Sequence, residues 1–225
     1  MAYNLLIGNK NYSSWSLRPW LLLHASGIKF TEEKHLFETP EFAAEISSRK
    51  RSPNGRVPVL VDGDVKVWDS LAIAEYLAER HPGVWPVDPV ARAHARSACA
   101  EMHSSFGALR NWMPMNVRRS YPIATPRTDV QKDIDRIQDL WAEARARFSA
   151  GGPFLYGTFS NADAYFAPVV FRFNTYGVKC SPVAAEYVKA MLEHPSMRQW
   201  IADSNAEPQV VDHEEPEFLY EKKTA

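Results

Sequence analysis

Three short stretches hold the residue types that could do chemistry, and all lie in the first third of the chain. The first is Asn11-Tyr12-Ser13-Ser14-Trp15-Ser16-Leu17-Arg18, a hydroxyl-rich turn between a strand-like and a helix-like segment. Hydroxyls at a helix start can donate to an anion, and one of them can equally well just cap the helix. The second is Arg56-Val57-Pro58-Val59-Leu60. Pro58 there opens an edge strand in trans, or it sits in a tight cis turn that frees neighbouring backbone to bond an extended peptide. The third is Trp68-Asp69-Ser70-Leu71, where a strand end passes straight into a helix. Asp69 could hold an ammonium, while Ser70 and the free helix amides hold a carboxylate; the same residues also make an ordinary N-cap.

Other catalytic signatures are missing. There is no Gly-x-Gly-x-x-Gly, no Gly-x-x-x-x-Gly-Lys-Ser/Thr and no His-Glu-x-x-His. Ser47-Ser48-Arg49-Lys50 fits Ser-x-x-Lys but lacks its companion motifs. The 7 His are scattered and Cys99 and Cys180 lie far apart, so no metal site is expected and a reducing compartment is. With 26 Lys+Arg against 27 Asp+Glu the net charge is −1, no footprint for wrapping nucleic acid. Hydrophobic residues at 45% and charged residues at 24% exclude a disordered or fibrous chain. No apolar run spans a bilayer, and Met1-Ala2-Tyr3-Asn4 lacks the features of a signal peptide. A cytoplasmic protein is the expectation.

The elements that must position these residues alternate at first. Tyr3–Gly8 reads as a strand, Leu17–Ser26 as a helix stopped by Gly27, Lys29–Leu36 as a strand and Glu41–Ser47 as a short helix. Val57–Val61 and Val65–Trp68 flank the hairpin signal Asp62-Gly63-Asp64, and Ser70–Arg80 is amphipathic. This β-α-β-α-β-β-α order gives a small α/β domain over residues 1–80. Residues 81–88 read as a linker, and 89–225 as an all-helical domain. There Asp88-Pro89 opens a helix expected to reach about Met113, with Met102, Phe106, Leu109 and Met113 on one face. Thr125-Pro126 opens another, striped by Val130, Ile134, Ile137, Trp141, Ala144 and Phe148. Ser160-Asn161-Ala162-Asp163 has capping-box spacing ahead of a helix that Pro168 should kink. Ser181-Pro182 and Pro195 open the last two, and the charged tail Asp212–Ala225 is expected to pack loosely.

The order and spacing of the three stretches resemble the cytosolic glutathione transferase family, over about residues 3–204. Ser-Leu-Ala-Ile-Ala-Glu-Tyr-Leu (70–77) is similar to the family's third-helix text, and Phe154-Leu155-Tyr156-Gly157 with Ser160–Asp163 to its capping-box region. The resemblance implies a thioredoxin-like N-terminal domain, a cis Val57-Pro58 bond, an all-α C-terminal domain and a homodimer. It implies glutathione as co-substrate, with no metal, nucleic acid or membrane partner. Glutathione would lie on Arg56, Val57, Pro58, Asp69 and Ser70. Counting back from Arg18 puts the thiol-activating position on Ser13, with Ser14 the alternate and Ser14 or Ser16 left to cap the helix. The electrophile pocket is expected between the domains, walled by Tyr12, Trp15, Phe106, Trp112 and Met113. The implied activity is transfer of glutathione to a small hydrophobic electrophile. A non-catalytic glutathione-binding carrier and a maleylacetoacetate isomerase-like enzyme are the alternatives. A Ser at the reactive position looks like the theta, zeta and delta types, although Trp15 stands where a zeta-like loop often has Cys.

Overall fold

The computed structural model describes residues 3–222. Strand β1 (Tyr3–Ile7) lies inside a four-stranded sheet of order β2-β1-β3-β4. It pairs in parallel with β2 (Phe30–Lys34) and antiparallel with β3 (Val59–Asp62), which turns back into β4 (Val65–Trp68). Leu5, Leu6 and Ile7 point alternately to opposite faces and all are buried, so the sheet is covered on both sides. Helices α1 (Ser14–Ala25), α2 (Pro40–Ser48) and α3 (Ser70–Ala78) complete the thioredoxin-like arrangement the sequence leads one to expect.

Among the described residues after 88 there is no strand, and the α-helices are α4 (Pro89–Ser104), α5 (Gly107–Trp112), α6 (Thr128–Phe148), α7 (Asn161–Thr175), α8 (Pro182–Glu193), α9 (Pro195–Asn205) and α10 (Pro216–Lys222). The single helix expected from 89 to about 113 is broken at Ser105-Phe106, where Phe106 takes a positive φ of 62°. That conformation is costly for an aromatic residue. Its neighbours compensate: Arg110 donates to the freed carbonyls of Met102, His103 and Ser105, and Leu109 N–H donates to Asp133 at 2.9 Å. The break also lets Met102, Phe106, Leu109 and Met113 all reach the core.

Helix α7 carries its capping box as expected. The Ser160 hydroxyl accepts from Ala162 N–H, and the Asp163 carboxylate accepts from Ser160 N–H at 2.9 Å and Leu155 N–H at 3.0 Å. The helix runs on through Pro168 and packs on α1, α4 and α8, so it is the axis that ties the two halves together. The tail departs from expectation. Val211, Glu215 and Leu219 are buried, and a 3₁₀ turn (Asp212–Glu214) and α10 pack back onto the body; residues 223–225 lie outside the described residues. Among the described residues no helix is long and apolar enough to cross a membrane.

Candidate active site

The turn leaving β1 is polar in sequence, yet Asn9, Lys10 and Asn11 are buried. Their partners come from the other end of the chain. The Lys10 ammonium pairs with Glu32 at 2.7 Å and Asp203 at 2.5 Å and lies over the rings of Trp20 and Trp200. Trp200 Nε1 donates to Lys10 O at 2.9 Å, and the buried Glu207 carboxylate accepts from the Lys10 and Asn11 N–H groups. A cation this deep is tolerated only when paired. The C-terminal helices thus hold the turn that delivers Ser13 to the start of α1.

Ser13 is itself the N-cap. Its Oγ accepts from Ser16 N–H at 3.3 Å and its hydroxyl donates to Ser16 Oγ at 2.7 Å, an oxygen that also accepts from Gly8 N–H. This corrects the assignment of the cap to Ser14 or Ser16. The reason lies in the turn: Ser13 N–H closes back on Asn9 O at 2.8 Å, making Ser13 the last residue before the helical backbone. Ser14 is already helical, and its hydroxyl makes no hydrogen bond among the described residues. Both serines line one cavity of about 360 Å³.

That cavity also takes in Tyr12, Trp15, Arg56 and Val57 from the first domain, and Arg110, Pro114, Met115, Arg172 and Glu214 from the helical region. A second cavity of about 220 Å³ shares Trp15, Arg56 and Val57 and adds Pro58, Asp69, Ser70 and His103. The Val57-Pro58 bond is cis. Asp69 holds φ at +73°, and its carboxylate caps α3, with Oδ1 accepting from Leu71 N–H at 2.8 Å and Oδ2 lying 3.3 Å from His103 Nε2. A strained backbone at a carboxylate facing a cavity is characteristic of ligand clamps. Beneath it, the Tyr165 hydroxyl meets Ser70 Oγ at 3.0 Å and His103 Nδ1 at 2.6 Å.

The three sequence stretches therefore converge. The expected electrophile walls do so only in part. Tyr12 and Trp15 line the larger cavity, whereas Phe106 and Met113 are in the core and Trp112 packs on Tyr220 and under Arg127. The break after α4 turns the Phe106 and Met113 side chains inward, and Phe37, Phe42, Pro114 and Met115 take their places. Arg18, Arg110, Arg172, His103, Tyr165 and Glu214 escaped the sequence reading. Only Arg18 lay within a stretch already singled out.

The Tyr12 hydroxyl is engaged: it donates to Glu215 Oε1 at 2.5 Å and accepts from Val211 N–H and Arg118 at 3.1 Å each. Burial and the Glu215 bond push its pKa up, so it stays neutral. Burial opposes ionisation of Glu215, but hydrogen bonds from Tyr12 and Arg119 outweigh it and hold that carboxyl below its usual value. A depressed folded-state pKa means stability present above the unfolded carboxylate pKa and lost as pH falls through the folded one. Acidification below about pH 4 should therefore loosen the tail from Tyr12. Limited proteolysis after Val211 should rise with acid in the native protein and be flat with pH in Glu215→Gln.

Residues 12–80 match the model of the glutathione S-transferase N-terminal domain. That stretch of the chain is a glutathione S-transferase N-terminal domain. The chain is 29% identical over 177 residues to a stringent starvation protein A homolog of Pasteurella multocida, covering 75% of this chain and 78% of that one. It is 26% identical over 182 residues to a probable maleylacetoacetate isomerase of Caenorhabditis elegans, covering 76% and 81%. A glutathione transferase homolog from Burkholderia, crystallised with bound glutathione, superposes with a TM-score of 0.68 over 92% of this chain and 100% of that one. At 22% identity that likeness shows a shared glutathione transferase fold.

Proposed function

We propose that this protein is a glutathione S-transferase family member that binds glutathione across the two adjoining cavities and activates its thiol for attack on an electrophile in the larger one. The observation that supports this best is the convergence of Ser13, Val57-Pro58 and Asp69-Ser70 around Trp15 and Arg56. The α-amino group of the γ-glutamyl end meets Asp69, its carboxylate meets Ser70 and the α3 amides, and the peptide backbone pairs with Val57. That leaves the thiol at Ser13. A free thiol has a pKa of about 8.5 and is only a few per cent ionised at neutral pH. The Ser13 hydroxyl, polarised by the Ser16 N–H it accepts, swings from Ser16 Oγ to the thiolate, whose full charge makes it the better acceptor.

The test is calorimetric titration with glutathione followed by conjugation to a generic aryl halide. Saturable binding and enzyme-dependent thioether formation are expected; failure to bind glutathione would refute the proposal. Glutathione binding without turnover is a second reading, favoured by the Ser13 proton being already engaged by Ser16. An isomerase would convert a cis-enone acid with no net consumption of glutathione. The protein is further proposed to be a cytoplasmic homodimer, its two cysteines kept as free thiols. Sedimentation equilibrium should return twice the 25.5 kDa chain mass at micromolar concentration.

A further inference from the structure

Guanidinium groups that form no ion pair among the described residues gather at the domain junction around the larger cavity. Arg172 on α7 lines it and is only 5% exposed; its Nε donates to Met113 O at 2.7 Å, and it forms no ion pair among the described residues. Arg110 on α5 lines it too, lying over the Trp15 ring at 4.7 Å and bonding backbone carbonyls alone. Arg18, fully buried between the rings of Trp15 and Tyr165, adds a third cation behind them, again without an ion pair among the described residues. The one acid among the described residues on the cavity wall, Glu214, lies 3.9 Å from His213 and acts on Arg172 only through space, without an ion pair to it.

Burial of unpaired cations is costly, and the cost falls when an anion enters. Burial, with Arg110 and Arg18 nearby, already pushes the Arg172 pKa down to about 9. Resting on the glutathione reading above, we infer that the acceptor bound beside the thiol carries a carboxylate, held by Arg172 and Arg110. The substrate class is a small apolar electrophile with a pendant acid, its apolar part against Phe37, Phe42 and Met115. Arginine suits this role because its planar fork matches a carboxylate.

A matched pair of probes tests it, 4-(chloromethyl)benzoate and its methyl ester. In each the glutathione thiolate forms a C–S bond at the benzylic carbon, chloride leaves with the C–Cl electron pair, and the thiol proton goes to solvent. Relative to the uncatalysed rates, the acid should be preferred at least tenfold in kcat/KM. That preference should shrink with added salt, grow in Glu214→Gln and fall toward one in Arg172→Gln. If Arg172→Gln does not fold, the product-binding comparison on the unmutated protein carries the test. Arginines that served only the thiolate would lower both rates equally and leave the ratio unchanged, which overturns the inference. The products give a readout independent of turnover: S-(4-carboxybenzyl)glutathione should bind at least tenfold more tightly than its methyl ester, S-(4-methoxycarbonylbenzyl)glutathione. Equal binding of the two defeats the carboxylate inference and leaves glutathione recognition standing; absence of binding by both and by glutathione defeats both readings.

Discussion

Asp69→Asn should weaken glutathione binding by roughly tenfold while leaving kcat nearly unchanged. A hydrogen bond to a charged group contributes about 1.5–3 kcal/mol. The Asp69 side chain is 43% exposed, which places its contact with an ammonium at the low end of that range. Asparagine isolates the charge. Its amide oxygen can still accept from Leu71 N–H, as Asp69 Oδ1 does now, and Asn tolerates the positive φ of 73° better than most residues. Asp69→Ala should lose the same affinity and in addition about 0.5–2 kcal/mol of stability, because α3 then starts uncapped at a strained residue. The ammonium does not react, so its loss removes binding shared by ground and transition states and raises KM alone. Titration calorimetry showing wild-type affinity for Asp69→Asn would sink the assignment of Asp69 to the amino end.

What the sequence made legible was whatever neighbours in the chain determine. The Asp62-Gly63-Asp64 hairpin, the Ser160–Asp163 capping box and the Val130-to-Ala144 stripe all formed where local pattern placed them. What escaped it depends on partners far away. Asn9-Lys10-Asn11 looks like a solvated loop until Glu207, Asp203 and Trp200, nearly two hundred residues on, are packed against it. The tail looks loose until Glu215 finds Tyr12 and Arg119. Phe106 sits on an unbroken helical stripe, and only the compensating bonds from Arg110 and Asp133 make a kinked path affordable. The site divides the same way. Ser13, Val57-Pro58 and Asp69-Ser70 are readable because each marks an element boundary. Arg110 sits on a six-residue helix and Arg172 on one buried nearly all round, and no spacing in the sequence marks either arginine as lining a cavity.

Ser13→Ala should raise the pKa of bound glutathione toward the value of about 8.5 for free thiol, and it should also destabilise the fold. Moving a thiol down by two units takes about 2.7 kcal/mol of preference for the anion, a change of about 100-fold in the thiolate-to-thiol ratio. One charge-assisted hydrogen bond with the α1 dipole is of that order. Because Ser13 also caps α1 through Ser16 N–H, the same substitution should cost about 0.5–2 kcal/mol in denaturant unfolding. Ser14→Ala should leave both quantities nearly unchanged, since that hydroxyl bonds nothing among the described residues. Affinity for glutathione should survive in both variants through Val57, Asp69 and Ser70. The two observables separate the two roles of one hydroxyl. Thiolate absorbance titrated against pH reads the first, and the unfolding midpoint reads the second. If Ser14→Ala raises the thiol pKa while Ser13→Ala lowers only the midpoint, the sulfur lies one residue further into the helix and Ser13 is the cap alone.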